Sequence, residues 1–144
     1  MCNRYRIKAT EAELEEYFEA TRGLPQHRPV LPRLLFPDAV APIIRLNADG
    51  KRELLDMRWG MPGPMMYGGK PVTNIRNTKS AHWRTWLGPP SRGLVPFDSF
   101  CEWENTLPKK TPVWFALNQN RPLAAFAGLW TTWKGVRGTK SQPR

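Results

Sequence analysis

The sequence predicts an α+β fold: an antiparallel sheet or partly closed barrel with two flanking helices. Three observations predict it. Most apolar runs are short and rich in strand-forming residues, as in Ile43 to Leu46 and Leu54 to Trp59. Only two stretches carry helix signals. The 144 residues suffice for one domain with a substantial core, and no internal repeat or linker divides them.

The elements follow in order. Thr10-Glu11-Ala12-Glu13 reads as a capping box, with Leu14, Tyr17 and Phe18 behind it at helical spacing. Gly23 is expected to end that helix. Residues 24–42 are proline-rich and read as an irregular surface segment. Ile43 to Leu46 and Leu54 to Trp59 pair across a hairpin signalled by Asp49-Gly50. Met61 to Pro71 is a loop rich in Gly, Pro and Met. Val72 to Arg76 reads as a short strand. Ser80 is positioned to cap a helix whose Trp83, Trp86 and Leu87 share a face, stopped by Gly88-Pro89-Pro90. Three strands are expected to follow: Gly93 to Glu104 with a break near Asp98, Pro112 to Leu117, and Leu123 to Trp130. The last is expected to leave an unpaired sheet edge. Residues 1–133 form the expected domain. Residues 134–144 hold four basic side chains and no acidic one, which predicts a mobile basic tail.

Charge narrows the partners. Lys and Arg number 22 against 12 Asp and Glu, a net charge of +10 that calls for an anionic partner, nucleic acid before membrane. No apolar run approaches a membrane span and no signal peptide is visible, so the expected compartment is the cytoplasm, with the nucleoid as the site of work. Cys2 and Cys101 are too few for a disulfide framework. No metal or other cofactor is expected, because His27 and His82 lack metal-ligand spacing.

Several residues could carry chemistry. If Met1 is removed, Cys2 presents a thiol and an α-amine together, both partly nucleophilic near neutrality. Such an aminothiol traps aldehydes as a Schiff base and then a thiazolidine. The plain alternative is a small residue that follows Met1. Strand alternation would put Asn74 and Arg76 on one face, suited to a phosphate, or merely on an exposed polar face. Glu102, between apolar neighbours in Ser99-Phe100-Cys101-Glu102-Trp103, would be partly desolvated and fit for proton transfer, or else a strand carboxylate in water. Cys101, on the opposite face, reads as a packed core thiol. His82, beside Trp83, reads as structural. Trp59, next to the Gly/Pro loop, could stack on a base.

Met1-Cys2-Asn3-Arg4, Arg58-Trp59-Gly60, Thr73-Asn74-Ile75-Arg76-Asn77-Thr78, Ser99-Phe100-Cys101-Glu102-Trp103 and Phe126-Ala127-Gly128-Leu129-Trp130 occur in this order. With Gly135 to Lys140 they resemble the SOS response-associated peptidase (SRAP) family across essentially the whole chain. The resemblance implies an antiparallel barrel-like core. It also implies covalent capture of abasic sites in single-stranded DNA through a thiazolidine, after self-removal of Met1. By matching position it makes Cys2 the crosslinking residue, Asn74 the residue that positions the N-terminus and opened sugar, and Glu102 the acid/base. Arg4 and Arg76 match phosphate-binding arginines, and Pro37 and Trp59 lie where the family lines its DNA channel.

Two departures from the family stand out. The loop after Trp59-Gly60 carries Met61, Met65 and Met66 where the family usually has aromatic wedges. Family members also continue past this length, through further strands and an assisting histidine that neither His27 nor His82 matches. An incomplete domain, less stable and slower than a longer relative, is therefore expected. Besides the crosslinking enzyme, two readings stand: a non-covalent binder of single-stranded nucleic acid, and an inactive remnant.

Overall fold

A computed structural model describes residues 3–23 and 33–135. Cys2, His27 and most of the expected basic tail lie outside the described residues.

The elements are β1 (Arg4–Ile7), α1 (Glu11–Phe18), β2 (Thr21–Arg22), β3 (Arg33–Leu35), β4 (Val40–Leu46), β5 (Arg52–Arg58), β6 (Arg92–Phe97), β7 (Ser99–Glu104), β8 (Thr111–Phe115) and β9 (Ala124–Leu129). They build two sheets, a four-stranded one in the order β3-β1-β7-β8 and a five-stranded one in the order β2-β5-β4-β6-β9. Every pairing is antiparallel except β2 with β5. The fold is thus mixed and sheet-rich, as expected, but the two sheets do not close into one barrel among the described residues.

The break expected near Asp98 is where the chain passes from one sheet to the other. The Asp98 N–H donates to the Arg6 carbonyl at 2.9 Å. Its carboxylate accepts from the Lys8 N–H and from the Ser99 hydroxyl, both at 2.6 Å. The core lies between the sheets and α1. Tyr5 and Ile7 of β1 meet Leu14 and Phe18 of α1, Ile44 of β4, Leu54 of β5 and Phe97 of β6. Phe97 stacks on Phe126 at 4.0 Å, and Phe100 meets both edge-on. Burying aromatic area of this kind is the largest favourable contribution to such a core.

Helix α1 has the capping box its sequence announces. The Thr10 N–H donates to Glu13 Oε2 at 2.6 Å, and the Glu13 N–H donates to Thr10 Oγ1 at 3.3 Å. Gly23 does not end it. Glu19 does, in a left-handed conformation with φ 48°. Asp49-Gly50 forms the expected turn between β4 and β5, with Gly50 at φ 73°, a conformation glycine adopts without strain.

Three expectations are corrected. Residues 24–42 are not irregular throughout, because β3 and the start of β4 lie within them. Val72 to Arg76 is not a strand: only Val72 bridges, to Met61, and residues 73–77 are irregular. The segment after Ser80 is a 3₁₀ helix, Ala81–Trp86, without a Ser80 side-chain cap. Its three-residue period still aligns Trp83 with Trp86, and His82 packs edge-on against both.

Candidate functional site

An open groove of about 1390 Å³ lies along the five-stranded sheet. Its floor is β4, β5, β6 and β9, and its walls are Trp59 to Pro62, Val72 to Ile75 and Trp130 to Trp133. Arg45, Arg58 and Arg92 line it with Asp56. Arg45 is fixed there by Glu53 at 2.6 Å and by the Trp130 ring, 4.0 Å away. Arginine, held by a carboxylate and stacked on a ring, suits this position better than lysine would.

Two of the residues singled out in the sequence, Arg4 and Trp59, contact the chain neighbours of two others, Pro37 and Asn74. Arg4 lies over the rings of Phe36 and Trp103, at 5.2 and 5.4 Å. Phe36 precedes Pro37, and the next residue, Asp38, donates its N–H to the Trp59 carbonyl at 3.1 Å. Trp59 Nε1 donates to the Thr73 carbonyl at 3.1 Å, and Asn74 follows. Arg4, Phe36, Asp38, Trp59 and Thr73 thus form one series of ring and hydrogen-bond links, with Pro37 and Asn74 next to it in the chain. Trp59 and Asn74 line the groove, with Tyr5 edge-on to Trp59 at 5.1 Å.

Glu102 reaches the same neighbourhood through β7. Arg4 pairs with Cys101, and Tyr5 with Phe100. Alternation therefore puts Glu102 on the Tyr5 face of the sheet, at the end where the chain enters β1. Glu102 is half-buried, and Cys101, on the other face, is fully buried. Arg76 is exposed on the irregular segment, so the shared strand face expected for it and Asn74 does not exist.

The loop after Trp59-Gly60 is pinched at its neck by the Met61–Val72 bridge, with both hydrogen bonds at 2.9 Å. Gly63 is required there: a Cβ would lie 2.0 Å from the Lys70 carbonyl oxygen. The tip, Met65–Tyr67, is a 3₁₀ turn whose side chains are 71–81% exposed. His82 Nε2 donates to the Pro62 carbonyl at 2.9 Å, which holds the loop base and gives this histidine the structural part expected of it.

The sequence reading did not single out Tyr67, Arg45, Arg92, Trp130, Arg6 or Trp114. Alternation along Arg4-Tyr5-Arg6 would have flagged Arg6, but the register that joins it to Trp114 is long-range. Among the described residues no group of His, Cys, Asp and Glu could hold a metal ion. Among them, too, no helix is long and apolar enough to cross a membrane.

Two sheets around an aromatic core, with an arginine-lined groove beside the N-terminal strand, define a sheet-rich class of α+β protein. The profile of the SOS response associated peptidase (SRAP) family matches residues 1–143, and the chain belongs to that family. Two solved structures from Bordetella bronchiseptica have the same fold. One, a phage-related protein, is 25% identical with a TM-score of 0.63, over 96% of this chain. The other, a protein known by its crystal structure, is 23% identical with a TM-score of 0.61, over 90% of this chain. This chain spans 64% of the length of each. No curated protein sequence matches it.

Proposed function

We propose that the chain, once Met1 is removed by its own hydrolytic activity, captures abasic sites in single-stranded DNA through Cys2. The ring-opened abasic sugar is an aldehyde. The Cys2 amine adds to its carbon, water leaves, and an imine forms. The Cys2 thiolate then adds to the imine carbon and the nitrogen takes a proton, which closes a thiazolidine. Glu102 moves the protons in sugar opening and dehydration, and Asn74 holds the sugar and the new N-terminus. Arg4 and Arg76 take phosphates, and Pro37 and Trp59 line the strand's path. The tail from residue 134 adds unspecific attraction to DNA, in the cytoplasm where single strands arise during replication.

The observation that carries this reading is the path from Arg4 through Phe36 and Trp59 to Asn74, ending at the groove, with Glu102 beside the strand that follows Cys2. Membership of the SRAP family supports it. The test is the intact mass of the chain after mixing with single-stranded DNA containing one abasic site. A covalent adduct is expected, and its absence sinks the proposal. Cys2→Ser keeps the amine, so it should form a Schiff base that borohydride traps, but no lasting ring. Glu102→Gln should slow adduct formation roughly 10²- to 10⁴-fold while leaving DNA affinity nearly unchanged. The net charge of +10 favours a second reading, binding of single strands without a covalent step. Salt-sensitive binding with no adduct would select it.

A further inference from the structure

The outer face of the four-stranded sheet carries two side chains, Arg6 and Trp114, that the proposed capture of abasic sites does not use. Arg4 and Arg6 alternate outward along β1, with Tyr5 and Ile7 inward and buried. Arg4 lies over the Phe36 and Trp103 rings. Arg6 lies over the Trp114 ring at 5.2 Å. The register places Arg6 opposite Leu34 on one side and Ser99 on the other, and Cys101 opposite Trp114. Arg4, Arg6, Trp103 and Trp114 therefore share one face, over a buried floor of Ser99 and Cys101.

Exposure and charge separate this face from ordinary core packing. Leu34, Phe36, Trp103 and Trp114 are 36–43% exposed, so the rings are not sealed beneath the arginines. The carboxylates of β7, Glu102 and Glu104, fall on the opposite face by alternation from Trp103. Large rings kept at the surface beside cations, with the sheet's anions turned away, suit a ligand that is both planar and anionic. A bare polyanion would use the arginines and leave the rings without a part. An apolar partner would use the rings and meet two charges.

We infer that the Arg6–Trp114 end of this face is a stacking platform for the bases of single-stranded nucleic acid. It continues the strand's path from Arg4 away from the groove. The inference rests on the nucleic-acid part of the proposed function but not on the covalent step. Arg6 and Arg4 sit two residues apart, about 6.8 Å along the strand, so one nucleic-acid strand can engage both. Bases stack on the exposed rings while the guanidiniums meet phosphates. No base is specified, because every base offers a π-face.

The test compares two probes of equal length by fluorescence anisotropy: oligothymidylate, and a base-free tetrahydrofuran-phosphate oligomer, which offers no aldehyde for Cys2 to capture. Trp114→Leu keeps apolar bulk and removes the ring. It should weaken oligothymidylate binding about 5- to 150-fold and leave the base-free probe unchanged. Trp114→Phe should retain most of the affinity. Arg6→Ala should weaken both probes and lower the salt slope by about 0.7. Crosslinking of free 2-deoxyribose 5-phosphate, which carries no base or second phosphate to reach this face, should be the same in all three variants as in the parent. Parental binding of oligothymidylate by both Trp114→Leu and Arg6→Ala overturns the platform and leaves the proposed function standing. An equal loss on both probes in Trp114→Leu overturns the stacking role. A parent chain that binds neither probe overturns the nucleic-acid reading and the platform with it.

Discussion

Asp98 shows how one side chain can set the geometry of a whole fold. It is 3% exposed, and its carboxylate takes the Lys8 N–H and the Ser99 hydroxyl at the point where β6 of one sheet becomes β7 of the other. In the sequence an Asp between Phe97 and Ser99 signals only a break, because its partner Lys8 lies 90 residues away. Removing the carboxylate leaves the buried Ser99 hydroxyl and the part-buried Lys8 N–H without this acceptor, the costly direction of hydrogen-bond loss. Asp98→Ala should therefore destabilise the chain by about 2–3 kcal/mol in urea denaturation with an unchanged m-value. A loss within about 0.5 kcal/mol would show that the corner is held by packing alone. Cys101 was legible where Asp98 was not. Its alternation with Glu102 marks it as a core thiol, and it is free and fully buried, beneath the Arg4 and Trp103 face. In a Cys2→Ser background it should resist a thiol reagent in native protein and react only on unfolding. Prompt native labelling would mean that the face above it opens readily.

Helix α1 was legible because its signals are local. Thr10 and Glu13 are three residues apart, and their reciprocal bonds form whatever surrounds them. The end of the helix was not legible, because its partner is distant: Arg52 of β5 donates to the Phe18 carbonyl at 2.9 Å. That bond meets a terminal carbonyl, and Gly23 serves elsewhere, with its N–H on the Leu54 carbonyl. The segment after Val72 was misread for a related reason. Its residues have strand propensity, but the Thr73 carbonyl is taken by the Trp59 indole instead of a neighbouring strand. The capping box also carries a pH signature. The Thr10 backbone N–H, and after it the Thr10 hydroxyl, hold the Glu13 carboxyl below its ordinary value. The folded state thus binds this proton less readily than the unfolded chain. The contribution is complete above the unfolded value and fades as pH falls through the lower folded one. Glu13→Gln, which removes the titrating carboxyl, should lose stability against the parent near neutrality and draw level with it as pH falls through the folded value. A stability difference that stays constant down to acid pH would show that the Glu13 carboxylate adds no pH-dependent stability.

At the scale of the whole molecule, the sequence pointed to β4 through β9, missed β1, β2 and β3, and did not reveal the division between two sheets. Gly93 to Glu104 read as one strand with a break, yet its halves lie in different sheets. Strand pairing is long-range, and neither Arg4 with Cys101 nor Arg92 with Leu129 has a local cue. The same holds for the proposed site. Cys2, Asn74 and Glu102 were readable as residue types with matching chemistry. The path of contacts that ties Arg4 to Asn74 required the fold. One expectation of this scale does survive in the topology: β9 lies at an edge of the five-stranded sheet and, among the described residues, pairs only with β6. Its sequence, Ala124–Leu129, holds no charge and no proline, the devices that usually guard an edge. Leu94, opposite Ala127, adds exposed apolar surface nearby. The chain should therefore associate reversibly as concentration rises, through backbone pairing at this edge. Sedimentation velocity should show a mass that grows with concentration in the parent. Ala127→Lys, which sets a charge on an exposed position of that edge, should move the distribution toward monomer without changing the melting temperature by more than a few degrees. A parent that stays monomeric across the concentration range would mean that the β9 edge is already covered.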